Sequence, residues 1–361
     1  MSTLKVDSIG NSGSAVNFPN NVQAGDGFAK REYTSSATAP SGANNGALWW
    51  DTVNEELNLK IAGFWYVVDA NPPPVALGDR GVFGGGISSN VLQYIAIPTA
   101  GNATDFGDLT TARHSLAAVS NGSRGVFGGG FATDKSTIDY ITIATTGNAQ
   151  DFGDLSVARY SLSGTSNVSR GVFGGGTDGS SKVNTIDYIT IASTGNATDF
   201  GDLTVSRQAL TAEADSTRAV FAGGEPSSGK SNVLDYVTIA TTGNATDFGD
   251  LLSAILSPGS CSNLTRAIFA GGRTDATLFD NVIQYITIAT TGNATDFGDL
   301  ITGTLQNTGT ANNTRGVFAG GAIDSATLNT IQYVTIDTPG NGTDFGDLLT
   351  TQKLFAACSG N

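Results

Sequence analysis

Catalytic chemistry is thinly supplied in this chain. It has one histidine, His114, beside Arg113, so no Ser-His-Asp triad, Cys-His pair or multi-histidine metal set can be assembled. His114 reads as a solvated loop residue. The remaining reactive groups are carboxylates: Asp105-Phe106-Gly107-Asp108 recurs at 151, 199, 247, 296 and 344, and the copies hold 12 of the 32 acids. Such acids could serve glycoside hydrolysis or, with Asn102, coordination of a hard cation. A catalytic site is one asymmetric constellation, however, whereas these acids come six times over. Calcium asks for six or more oxygens where each loop offers three side chains. Both points favour a structural role, with Asn and Asp bonding the backbone of their own turns. No enzyme activity, cofactor or metal is expected. Cys261 and Cys358 occupy the place held elsewhere by Val119, Thr165, Glu213 and Thr310, which makes them small strand residues rather than a disulfide or metal pair.

The acids belong to a larger repeated sentence. An arginine (80, 124, 170, 218, 266, 315) opens a Gly-rich apolar run, and a tyrosine (94, 140, 188, 236, 285, 333) follows. From tyrosine to the next arginine the count is always 30, whereas from arginine to tyrosine it runs 14, 16, 18, 18, 19, 18, so length varies in one segment only. A fixed period of this size marks a solenoid, propeller or array. With 48 glycines, 18 phenylalanines and 14% charged residues the chain is turn-rich β protein. Each unit resolves into four strands, in the second copy Ser115–Ser120, Arg124–Gly129, Ile138–Ala144 and Asp151–Leu155, with Asn121-Gly122 as a hairpin turn. Four-stranded antiparallel units repeated radially are propeller blades. The fold expected is all-β, a six-bladed propeller over 80–361. Twelve of the 18 phenylalanines fall at two repeated positions, on the second and fourth strands, and blade-on-blade packing is the expected core.

Ahead of the repeats, MSTLKVDSIG has neither the apolar run nor the cleavage site of a leader, and nowhere does an apolar stretch reach membrane-helix length. Residues 1–35 read as an extended attachment segment and 36–70 as a three-stranded meander with turns at Asn54 and Gly63. Residues 71–79, with Pro72, Pro73 and Pro74, read as a stiff linker. A net charge of -14 argues against nucleic acid and anionic membrane surfaces as partners.

The order of arginine, apolar strand, double glycine, variable loop, tyrosine and closing Arg113, Arg159 or Arg207 resembles the kelch repeat. Phe152 and its equivalents stand near the place of the usual kelch tryptophan. MSTLKVDSI, GALWWDT and GFWYVV resemble segments that open tail-fibre and other virion structural proteins of marine bacteriophages. That resemblance implies a virion location, other virion proteins as partners of residues 1–70, and a homo-oligomer, a trimer as in fibres. It also implies a host-surface glycan or receptor as target. The Asp-x-Gly core is similar to the Asp-box of sialidase propellers without its serine, threonine and tryptophan. A propeller glycosidase and a cellular kelch-type adaptor are therefore the alternatives.

Three structural expectations follow. The C-terminal strand, Leu354–Gly360, should pair with Arg80–Gly85 and close the first blade from the other end of the chain, bringing Asn361 near Gly78. The repeated arginines should bond carboxylates or turn carbonyls on the face of the short turns. All length variation should fall on the opposite face, where loops holding Phe131, Lys135, Lys182, Lys230, Arg273 and Phe279, beside links with Arg113, Arg159 and Arg207, form the candidate ligand-binding surface. The longest loops, around 227–230, 273–280 and 323–328, mix aromatic, basic and polar groups suited to a sugar.

Overall fold

A computed structural model describes residues 78–274, 279–324 and 326–360 in full, and before them the backbone of four strands between 33 and 68. The chain divides into two compact units, 1–74 and 75–361. In the first, Leu48–Asp51, Glu56–Ile61 and Phe64–Val68 pair antiparallel in sequence order. Tyr33–Ser36 adds a fourth strand, parallel to Leu48–Asp51, so this sheet begins before residue 36. Residues 1–32, the turns at Asn54 and Gly63, the prolines and Asn361 lie outside the described residues.

The second unit is a six-bladed β-propeller. Its second blade is typical: Ala117–Ser120 innermost, then Arg124–Gly128, Thr137–Thr142 and Gln150–Asp154 at the rim. The first blade takes its innermost strand from the C-terminus, Ala356–Gly360, in antiparallel register from Ala356↔Gly84 to Gly360↔Arg80. Ring closure is thus made by backbone hydrogen bonds between the two ends of the repeat region, as the spacing requires. Chain direction then places the hairpins between the first and second strands and the turns before each fourth strand on one face. The chain also joins the propeller on that face, at Gly78. The loops after each second strand, and the links between blades, lie on the other.

The core is six interblade seams. Between the first two blades Val82, Leu92, Phe106 and Leu109 meet Phe127, Ile141 and Ile143, and the same grouping recurs at every junction. The repeated residues each have a contact that explains them. Arg80 stacks over Tyr94 of its own blade at 4.6 Å and donates to the Ile143 and Ala144 carbonyls of the next. All six arginines do likewise, ending with Arg315, which reaches the Ile97 and Pro98 carbonyls of the first blade. The acceptors are turn carbonyls, not carboxylates. Each tyrosine in turn meets the fourth-strand phenylalanine edge to face, Tyr94 and Phe106 at 6.0 Å.

The DFGD motif is explained at the rim. Asn148 Oδ1 accepts from the Asp108 amide of the preceding blade, and the Ala149 amide donates to the Asp108 carbonyl. The Asn side chains therefore bond the neighbouring blade's fourth strand rather than their own turns. Gly107 lies at φ +146°, and a Cβ there would stand 2.4 Å from the Gly147 carbonyl oxygen, which fixes glycine at this position. The first aspartate of every copy is exposed on the outer strand, and a register shift interrupts each third-to-fourth strand pairing. Charge and a bulge on an outer strand prevent edge-to-edge pairing between molecules, a physical reason for much of the acidity.

At the axis the first strands begin two residues later than the sequence suggests. Ser115, Ser161, Ala209, Ser257, Gln306 and Leu354 all adopt positive φ, between 53 and 59°. Each donates its amide to the carbonyl of the equivalent residue one blade back, from Ser161 N to Ser115 O at 2.8 Å round to Ser115 N to Leu354 O at 2.6 Å. Six backbone bonds thereby form a closed belt at the mouth of the axial channel and offset the strain of the left-handed conformation.

Candidate recognition face

The loop face is built from the Gly-Gly pairs. Gly129 (φ +64°) and Gly130 (φ +111°) turn the chain out of the second strand, so tightly that a Cβ would meet the Arg159 and His114 carbonyl oxygens at 2.7 and 3.0 Å. Between this turn and the third strand the loop is free to differ in length.

Arg113, Arg159 and Arg207 do not belong to the exposed surface. They are 1, 0 and 0% exposed, which corrects their assignment as ligand contacts. Arg113 pairs with Asp139 at 2.9 Å and donates to the Phe127 carbonyl; Arg159 does the same with Asp187 and Phe173, and Arg207 with Asp235 and Phe221. Asp139 also accepts from the Thr110 amide and hydroxyl, as Asp187 does from Ser156 and Asp235 from Thr204. Burial pulls the guanidinium pKa values down and the carboxylates pull them back. Each arginine leaves its Nε buried without a partner.

The other three junctions replace the whole set. Where the arginine becomes Ile255, Thr304 or Gln352, the aspartate becomes Gln284, Gln332 or Gln93, and the Thr/Ser becomes Leu252, Ile301 or Leu349. Each glutamine Oε1 accepts the backbone amide of the aliphatic residue, at 2.8–2.9 Å. Those aliphatic side chains are 52, 59 and 49% exposed. An arginine is present only where its aspartate is, which could have been read from the repeats alone. It is the arrangement that buried charge demands, because an unpaired ion inside costs far more than a neutral pair.

Of the remaining candidates, Phe131, Lys135 and Lys182 make contacts from one blade's loop to the next. Phe131, 46% exposed, stacks on His114 at 5.2 Å and meets Tyr160 of the next blade edge to face at 5.0 Å. Lys135 Nζ lies 5.5 Å from the Phe131 ring centre and 5.2 Å from that of Tyr160, and donates to the Asp178 carbonyl of the third blade. Lys182 continues from the third blade to the fourth, donating to the Pro226 carbonyl at 2.6 Å and pairing with Glu225 at 3.4 Å. Glu225 also accepts from Gln208, and its carboxyl is held below the usual range by Gln208, with Lys182 and Arg273 adding to the effect. Arg273, half-buried, forms backbone bridges with Leu256 and Phe279. Lys230 is half-buried at the end of its loop. The loop around 323–328 folds as a small hairpin, Ala322–Ile323 with Ala326–Thr327, while 275–278 lie outside the described residues.

Phe131 and Lys135 are therefore brought together, whereas Lys182, Lys230 and Arg273 belong to other stretches of the ring. His114 and Tyr160 were not singled out as contacts by sequence; their signal is that both follow the buried link arginine directly. His114 is not a solvated loop residue: it stacks on Phe131 and bonds Ser115 through Nδ1 at 2.9 Å, and partial burial lowers its pKa. Among the described residues no three His, Cys, Asp or Glu side chains converge as a metal set. Compared with known proteins, the sequence matches no family model and no curated sequence.

Proposed function

We propose that this chain is a virion structural protein, a tail-fibre or fibre-like component, whose propeller presents its loop face to a host-surface glycan. One observation carries the reading: all the length variation in a six-fold regular object falls on the face opposite the one where the chain joins the propeller. The loops there are not slack. Lys135 ties the loop of the second blade to the third and Lys182 that of the third to the fourth, so this arc of the face is preorganised, which lowers the ordering cost of binding. The exposed Phe131 beside Tyr160, rimmed by polar loops, offers the mixed apolar and hydrogen-bonding chemistry a sugar requires. The wording of the N-terminal segment, through its resemblance to phage fibre proteins, supports attachment to other virion proteins and a trimeric assembly.

The test is to shorten the loops of the second to sixth blades to the length of the first, confirm by thermal melting that the ring still folds, and measure binding to host cells. The proposal expects binding to be lost with folding intact. Unchanged binding would make the propeller scaffold, and release of free sugar from host glycans by the wild-type chain would favour a glycosidase instead.

A further inference from the structure

Among the described residues, the loop of the second blade alone brings two aromatic side chains together across a blade boundary on the loop face. The residue after each Gly-Gly pair is Ile87, Thr177, Glu225, Arg273 or Ala322 in the other blades, and Phe131 here. Phe131 is held in place: its amide donates to the His114 carbonyl at 2.7 Å, and its ring stacks on the imidazole. It still keeps 46% of its surface exposed, and the neighbouring first blade has the shortest loop of the six. The Lys135 ammonium lies within 5.5 Å of the ring centres of both Phe131 and Tyr160. Gly179, at φ +104°, borders the ammonium from the third blade. A Cβ there would stand 3.1 Å from Lys135 Nζ and 4.0 Å from Tyr160 Cε1, so glycine keeps this flank open. The hydrogen-bonding groups of the cluster are only partly used. Of the three Lys135 donors, one reaches the Asp178 carbonyl, at 3.3 Å. His114 engages Ser115 through Nδ1, and among the described residues neither its Nε2 nor the Tyr160 hydroxyl has a partner.

An exposed aromatic ring beside unused polar groups complements a sugar, whose C–H face is apolar and whose hydroxyls both donate and accept. Charge decides between neutral and acidic sugars. Lys135 is the exposed cation of the cluster, and around it stand three carboxylates, Asp134, Asp178 and Asp154, the last reached through Ser136 Oγ. Arg113 is buried and paired with Asp139. Hydrogen bonds from Ser136 hold Asp134 below the usual carboxylate range, and the amides of Ser181 and Ser180 do the same for Asp178, so both are ionised at neutral pH. The whole chain carries -14. A uronic or sialic acid would add another negative charge to this field, whereas a neutral ring adds none. Resting on the reading of the loop face as glycan-binding, we propose that Phe131, Tyr160 and Lys135 form a subsite for one neutral hexopyranose residue of that glycan. Its C–H face packs on the exposed surface of Phe131, and adjacent hydroxyls bond Lys135 Nζ and the Tyr160 hydroxyl.

His114 is the one histidine of the chain, so its imidazole Cε1–H resonance reports on this site alone. The full chain is titrated with the methyl glycosides of galactose, glucose and mannose and with sodium glucuronate, at constant ionic strength. At least one neutral glycoside shifts the resonance saturably, with a dissociation constant of about 1 to 10 mM, and glucuronate binds at least about tenfold more weakly. Phe131→Ala and Lys135→Met, each shown by melting to fold, weaken the neutral sugar by about tenfold or more. Phe131→Tyr, which keeps the ring, retains it. Tighter binding of glucuronate, or neutral-sugar binding unchanged in Phe131→Ala, overturns the subsite. No shift with any of the neutral glycosides also overturns it, and whether the chain then still binds host envelopes decides the recognition reading separately. A saturable shift in a chain that binds no envelopes upholds the subsite and overturns that reading instead.

Discussion

The junctions into the second, third and fourth blades and those into the fifth, sixth and first share one backbone and differ in how they fill it. The former bury an arginine against an aspartate and cap the aspartate with a Thr or Ser hydroxyl. The latter use a glutamine and leave an aliphatic side chain in solvent. A position in a repeat is thus not constrained singly. Three side chains change together because an ion removed from water must keep its counter-ion and its hydrogen bonds. In one arc the links place Thr or Ser over a charged interior, and in the other they place Leu or Ile over a neutral one.

The largest effect should come from halving an ion pair. Asp139→Ala strands Arg113 in a site with no other anion in contact and should cost about 3 to 5 kcal/mol, read by urea denaturation. Converting the whole set, with Thr110→Leu, Arg113→Ile and Asp139→Gln, copies the junction of Leu252, Ile255 and Gln284. It should return stability to within about 1.5 kcal/mol of wild type, or above it. A triple variant as unstable as Asp139→Ala would show that the two arcs are not interchangeable.

Glu213 gives an effect of intermediate size with a definite sign. Burial pushes its pKa up to about 7 against hydroxyl hydrogen bonds that lower it, from an ordinary 4.5. The folded state therefore holds the proton more tightly than the unfolded one. Stability from this group is intact at pH values below the ordinary pKa, falls as pH rises from about 4.5 to about 7, and stays lower above that. Glu213→Gln should be the more stable protein at about pH 8, by roughly 1 to 3 kcal/mol, and equal to wild type at about pH 4.

Smallest should be the apolar arc. Replacing Leu252, Ile301 and Leu349 by Thr touches exposed side chains and should move stability by less than about 0.5 kcal/mol each, while reducing retention on a hydrophobic matrix. Unchanged retention would mean that the three side chains do not act as a surface.

What the repeats could disclose was decided by geometry shared among all six blades. The 30-residue spacing and the expected pairing of the C-terminal strand with the first repeat together determine blade number and the closure of Gly360 on Arg80, because strand pairing admits few registers. Arg113, Arg159 and Arg207 were misplaced because charge usually marks a surface, and burial is visible only once Asp139, Asp187 and Asp235 are seen to appear in the same copies. The belt from Ser115 to Leu354 was hidden for another reason: positive φ normally announces itself as glycine, and here Ser, Ala, Gln and Leu adopt it under constraint from the neighbouring blade. The aromatic grouping of His114, Phe131 and Tyr160 joins residues from two blades whose proximity depends on loop conformation, which periodicity does not encode.

Under the proposed function, regular features build the ring and irregular ones do the recognising. Hydrogen exchange of the full chain, with and without isolated host envelopes, tests it most directly. Protection should appear in the loops carrying Phe131, Lys135 and Lys182 and in the link at Tyr160, with the hairpins between first and second strands and the Gly-Asn turns unchanged. Protection confined to those hairpins and turns, or none in the presence of bound envelope, would contradict the account.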